Sequence, residues 1–189
     1  MEVLSLEENN INFEKGRIGE EIIENNINKN IKVYYKMIKN VILENKDGRT
    51  EVDIILITYA GIFVIESKNF KGYIFGNSNH KKWMQVISKE EHNQFLNPIV
   101  QNKHHIDFIS DKLNLDKSYF YSYIVFGDNA KLQNITIDND KIDYKLKVIN
   151  NDDLIENILL DLHDNDIIIS HEEIDKMYVD LNYFYSHLY

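Results

Sequence analysis

A chain of 189 residues, 43% hydrophobic and 12% aromatic, can bury one sizeable core and is too apolar for disorder. A net charge of −10 excludes a surface coated with nucleic acid over most of its area but leaves room for a local basic groove; the lack of cysteine excludes disulfides and thiolate metal sites. No apolar run approaches the roughly 18–20 residues of a membrane span, and the acidic start MEVLSLEENNINFEKG lacks the features of a signal peptide, so a cytoplasmic location off the membrane is expected.

Residues 16–29, GRIGEEIIENNINK, have the spacing of a helix. Glu20, Ile23 and Ile27 fall at i, i+3 and i+7, which puts Glu20 in line with apolar residues instead of opposite them. Strand-like runs follow at about 33–44, 50–58 and 62–68. Asp47-Gly48 and Tyr59-Ala60-Gly61 supply the turns of an antiparallel meander. A further hairpin is expected over 72–87, around Gly76-Asn77. Asn97 and Pro98 then read as N-cap and first residue of a helix, with Ile99, Ile106, Ile109 and Leu113 as its core face. YFYSYIVF, 119–126, is apolar on both faces and reads as an interior strand. Strand-like ITI and KLKVI pieces lead to a helix over about 152–163. A last helix opens on the capping-box pattern Ser170-His171-Glu172-Glu173 and carries Ile174, Met177, Leu181 and Leu188. The order predicts a single domain over 1–189, α/β in class: helix, three-stranded antiparallel meander, helix and strand, with a mixed central sheet flanked by helices.

Charges stand where the second and third strands enter the core. Asp53 opens DIILI, and Glu66 and Lys68 close IFVIESK. Buried charges cost several kcal/mol each unless paired or bound to metal. Glu66 and Lys68 are two apart and leave one face of their strand. Asp53 falls opposite either Glu66 or Ser67. In the first register two carboxylates lie roughly 5 Å apart and repel, and a hard divalent cation, Mg²⁺ or Mn²⁺, removes that penalty. Glu20, facing inward, is the candidate third ligand. A metal so held polarises a phosphoryl oxygen and acidifies bound water, while Lys68 could orient that water or shed a proton. The ordinary alternatives are a surface ion pair for E-x-K, a turn residue for Asp53 and a partly exposed helix residue for Glu20; their combination on adjacent elements is what points to a site.

These segments resemble the nuclease-related domain family (NERD) of the PD-(D/E)xK, or restriction-endonuclease-like, superfamily. The resemblance runs over about 14–128 through GRIGEE (16–21), TEVDIILIT (50–58), GIFVIESKNFKG (61–72), Trp83 after a basic turn, and NPIVQN (97–102). It implies a restriction-endonuclease-like core over that stretch, and the strands and helices read from pattern alone over 129–189 are expected to complete the domain. It further implies Glu20, Asp53 and Glu66 as metal ligands, Lys68 as the catalytic lysine and Gln101 as a helix-borne active-site residue. Val52-Asp53 stands where the family usually has Pro-Asp.

The expected function is therefore Mg²⁺- or Mn²⁺-dependent phosphodiester hydrolysis, in DNA by preference, serving DNA processing or repair, mobile-element maintenance or defence. Lys71, Lys81 and Lys82 are the candidate nucleic-acid contacts, with Trp83 as a base-stacking platform, although a lone Trp is more often core. His104 and His105 point about 100° apart on a helix and receive no catalytic role. A helicase or other partner acting in trans and a second copy of the chain are the candidate protein partners. The competing readings are a non-catalytic nucleic-acid-binding or protein-interaction module and a structural domain with a buried ion network.

Overall fold

The computed structural model describes residues 2–45, 48–165 and 167–182. Helix α1 spans Glu2–Asn30, and strands β1 (Tyr35–Asn45), β2 (Gly48–Thr58) and β3 (Gly61–Lys68) follow as the expected antiparallel meander. Next come β4 (Gly72–Asn77), β5 (Lys82–Val86), β6 (His92–Leu96), α2 (Pro98–Leu113), β7 (Phe120–Phe126), β8 (Ala130–Thr136), β9 (Lys145–Asn150), α3 (Leu154–His163) and α4 (His171–Asn182).

The described strands form two mixed sheets. The larger has the order β1-β2-β3-β7-β9, with β7 parallel to β3 and to β9; the smaller has the order β6-β5-β4-β8, with β8 parallel to β4. This is the flanked mixed sheet of a restriction-endonuclease-like fold. Because helices cover both faces of the larger sheet, β7 and residues 61–66 of β3 are buried on both faces and are almost wholly apolar, interrupted by Ser122 in β7 and by Glu66 at the end of the β3 run. On one face Ile55, Ile57 and Val64 pack against Ile106 and Ile109 of α2 and Ile174 and Leu181 of α4. On the other, Leu56, Phe63 and Tyr121 pack against Ile23 and Ile27 of α1 and Ile158 of α3. The smaller sheet closes a third cluster built on Ile74, Trp83, Ile99 and Phe126.

Several boundaries differ from expectation. Helix α1 begins at Glu2 rather than at residue 16. The β4–β5 hairpin turns at 78–81, because Gly76 lies inside the strand: a Cβ there would stand 2.3 Å from the Trp83 ring. Strand β6, HNQFL, is not expected from the sequence, since three of its five residues are polar and only Phe95 packs inward. Strand β8 starts five residues before the ITI piece. The capping box of α4 is complete, with the Glu173 N–H donating to Ser170 Oγ (3.2 Å) and the Ser170 N–H donating to Glu173 Oε2 (2.8 Å). Asp47 and Leu188 lie outside the described residues. No helix among the described residues is long and apolar enough to cross a membrane.

Candidate active site

The β2–β3 ladder runs from Thr58↔Gly61 to Ile54↔Ile65 and stops there. One step further, Asp53 stands across from Glu66, the register in which the two carboxylates meet. Where backbone pairing ends, Asp53 Oδ2 accepts the Ser67 N–H at 2.7 Å, so a side chain takes over from the ladder. Glu66 is only 1% exposed. Its Oε1 accepts from Lys68 Nζ, and Lys68 Nζ also donates to Gln101 Oε1 at 3.3 Å. Sequence neighbours two apart on β3 and a residue from the first turns of α2 thus converge on one point. Lys68 keeps 18% of its side chain exposed, so the ammonium forms the solvent side of the cluster.

Helix α2 is held in register by two asparagines. Asn97 caps it, accepting the Ile99 N–H at 3.0 Å, and donates to the Asn77, Ser78 and His80 carbonyls, tying the helix to the basic β4–β5 turn. Asn102, fully buried, donates to Val64 O and Ser122 Oγ, each at 2.8 Å. This anchoring turns Gln101 and, one turn on, His105 toward the end of β3.

The electrostatics follow from burial and repulsion. Desolvation, with the Glu66 charge second, pushes the Asp53 pKa up to about 8 against the Ser67 N–H and Lys68. Burial pushes Glu66 up as well, but the His105 hydrogen bond and the Lys68 ammonium outweigh it and hold its carboxylate below the ordinary value. Glu20 is raised by burial, with repulsion from Glu51 and Glu66 adding to it and an Asn40 hydrogen bond and Lys39 opposing it. All three expected carboxylates therefore feel one another. Among the described residues, however, no three His, Asp or Glu side chains form a cluster already arranged to hold a metal ion.

Two contributors are not apparent from the sequence. His105, given no role there, is 2% exposed and places Nε2 3.1 Å from Glu66 Oε2. Asn40 sits in β1 between the pairs Lys39↔Ile54 and Val41↔Val52, opposite Asp53, with φ +49°. Such a left-handed residue inside a strand is uncommon outside asparagine and glycine. The inward parity of both strands changes there: Ile38 and Ile55, but also Val41 and Val52, face the α2 side. The signal in the sequence is an asparagine interrupting MIKNVIL; for His105 it is the four-residue step from Gln101.

Trp83 requires a correction. It is 2% exposed, lies parallel to Phe126 (7° between rings, centroids 6.3 Å apart) and donates from Nε1 to Asn77 O at 3.0 Å. Its faces are taken by protein, and it is a core residue rather than a platform for bases. Lys71, Lys81 and Lys82 are exposed. The Lys81 carbonyl accepts the Asn97 N–H at 3.1 Å, so the basic turn abuts the end of α2 that carries Gln101.

The sequence profile of the nuclease-related domain family matches residues 15–127. The chain belongs to the nuclease-related domain family. The matched region of this nuclease-related domain chain begins just before the α1 segment bearing Glu20 and ends just after β7, so it contains Asp53, Glu66, Lys68, Gln101 and His105. The chain is also 34% identical over 96 residues to a Bacillus anthracis protein described as uncharacterized, a match covering 50% of this chain and 45% of that protein. It thus spans less than half the length of that relative. No solved structure matches the chain.

Proposed function

We propose that this nuclease-related domain is a divalent-metal-dependent nuclease that hydrolyses phosphodiester bonds, with DNA as the substrate. The observation that carries the reading is the convergence of Asp53, Glu66, Lys68 and Gln101 at the end of β3. The donor chemistry suits the ion. Asp53 and Glu66 offer hard carboxylate oxygens, and Mg²⁺ is commonly bound through one or two carboxylates with water filling the remaining positions. Asp53 would exchange a proton for that ion, and Glu20, whose pKa is also raised by burial, would supply a further carboxylate. Bound between these residues, Mg²⁺ or Mn²⁺ would polarise a phosphoryl oxygen and lower the pKa of a coordinated water.

The remaining roles belong to the chain. Lys68, steadied by Glu66 and Gln101, would set its ammonium against the developing negative charge or hand a proton along. Gln101 gives Lys68 a second acceptor beside Glu66. Lys71, Lys81 and Lys82 would hold phosphates beside the site, with affinity that falls as salt rises. Nucleic acid of the cytoplasm is the substrate pool this reading assumes.

The lack, among the described residues, of a ready three-residue metal cluster favours one competing reading, a nucleic-acid-binding module that does not cut. Incubating supercoiled plasmid with the protein in Mn²⁺ or in EDTA separates them. Nicking confined to Mn²⁺ supports the nuclease; DNA binding without nicking in either condition supports the module.

A further inference from the structure

Glu66 is gripped from a second direction that the reaction scheme above does not use. His105 Nε2 lies 3.1 Å from Glu66 Oε2, and His105 Nδ1 lies 2.9 Å from Thr50 Oγ1. The imidazole and the carboxylate are 2% and 1% exposed, so water does not compete for either bond. An ionised carboxylate can only accept, so the ring proton on this side sits on Nε2. A neutral ring then leaves Nδ1 to accept the Thr50 hydroxyl proton. The three residues come from three elements: β3, α2 and β2.

Two features make this arrangement more than a polar contact filling a gap. Helix α2 is fixed by Asn102 on Val64 O and Ser122 Oγ, so the imidazole cannot slide along the sheet. Thr50 precedes the parity change opposite Asn40, as does Val52, which packs in the cluster on the α2 side. The Asn40 distortion therefore sets the face of β2 on which Thr50 meets His105.

We propose that His105, held by Thr50, is a positioning residue that fixes the plane of the Glu66 carboxylate. One oxygen is pinned on His105, and the other is turned to the Lys68 side for an incoming cation. The proposal rests on the nuclease reading, since it makes His105 act through a metal-holding carboxylate. Hydrogen-bond partners of metal ligands characteristically change metal affinity about 10–100-fold when removed.

The test is Mn²⁺ affinity by titration calorimetry, alongside melting temperature and single-turnover cleavage, for the wild type and four variants. His105→Leu fills space without a donor, whereas the His105→Gln amide can still reach Glu66. Thr50→Val removes only the hydroxyl, and Thr50→Ser keeps it. The expected result is Mn²⁺ binding weakened about 10–100-fold in His105→Leu, largely restored in His105→Gln, weakened in Thr50→Val and unchanged in Thr50→Ser. Should His105→Leu fail to fold, the Thr50 pair carries the comparison. On metal-free wild-type protein, nitrogen NMR should show the His105 proton on Nε2, with Nδ1 an acceptor.

Wild-type Mn²⁺ affinity in both His105→Leu and Thr50→Val overturns the inference and leaves the nuclease reading standing. So does equal weakening in His105→Leu and His105→Gln that merely tracks reduced stability, or a ring that carries no proton on Nε2. A wild type that neither binds Mn²⁺ nor cleaves overturns the nuclease reading itself, and the role given to His105 with it.

Discussion

Asp53 and Ser67 are joined where the meander stops being a sheet. The Asp53 carboxylate accepts the Ser67 N–H at 2.7 Å, one step beyond the last backbone pair of β2 and β3. The bond holds Asp53 opposite Glu66, although burial and the Glu66 charge resist ionisation there and push its pKa to about 8. Where both carboxylates are ionised, the strand end is therefore destabilised by desolvation and repulsion.

Metal-free protein should lose stability with rising pH for this reason. A carboxyl whose folded-state pKa is raised binds its proton more tightly in the native chain than in the unfolded one. Its destabilisation grows from the ordinary aspartate range, about pH 4, through about pH 8 and then levels off. Asp53→Asn keeps an acceptor for the Ser67 N–H and removes the charge. It should melt higher than wild type in EDTA at pH 8–9, with the gap narrowing as pH falls and closing below about pH 4. A gain of about 1 kcal/mol corresponds to roughly 2–4 °C in a chain of this size. Mn²⁺ should raise the wild-type melting temperature and leave Asp53→Asn less affected.

Lys68→Ala should separate turnover from metal binding. An ammonium is not a metal ligand, and Glu66 retains its His105 bond. Cleavage should fall on the order of 10²–10⁴-fold, the usual range for a positioned proton-transfer group, with Mn²⁺ affinity close to wild type in calorimetry. Gln101→Ala, which frees Lys68 from one of its two partners, should show a smaller loss in the same direction.

The three exposed lysines and Trp83 should respond in opposite ways. Lys71→Ala, Lys81→Ala and Lys82→Ala should each weaken DNA binding and reduce the dependence of log K on log salt by about one for every phosphate no longer neutralised. Fluorescence anisotropy at several salt concentrations reads this directly. Trp83→Ala should instead destabilise the fold by about 3–5 kcal/mol, the usual cost of emptying a large buried aromatic site. Chemical denaturation measures that loss.

Much of the layout is legible in the sequence because it rests on periodicity and turn chemistry. Two strands buried on both faces have to be nearly continuous apolar runs, and a short turn between β2 and β3 places Asp53 and Glu66 within one residue of each other. Glu66 and Lys68 share a face because strands repeat every two residues. What stays hidden depends on how elements are brought together. His105 reaches Glu66 only because Asn102 fixes α2 on the sheet, through an acceptor, Val64, that lies 38 residues away in the chain. Asn40 matters through its left-handed backbone, which spacing cannot reveal. Trp83 reads as a surface platform beside three lysines because the sequence does not show that Gly76 opens a place for it in the core. Strand β6 pairs through its backbone while its side chains are mostly polar and exposed, so the apolar alternation that marks a strand is missing.

The most direct test is single-turnover cleavage of end-labelled DNA by wild type, Asp53→Ala and Glu66→Ala, purified identically and assayed in Mn²⁺, Mg²⁺ and EDTA. Loss of either carboxylate removes a ligand from the proposed metal position. The wild type should cleave in the presence of metal and not in EDTA, and neither variant should cleave while both remain folded. Cleavage by Glu66→Ala at the wild-type rate, or wild-type cleavage that persists in EDTA, would contradict the assignment of a metal-dependent nuclease site to these carboxylates.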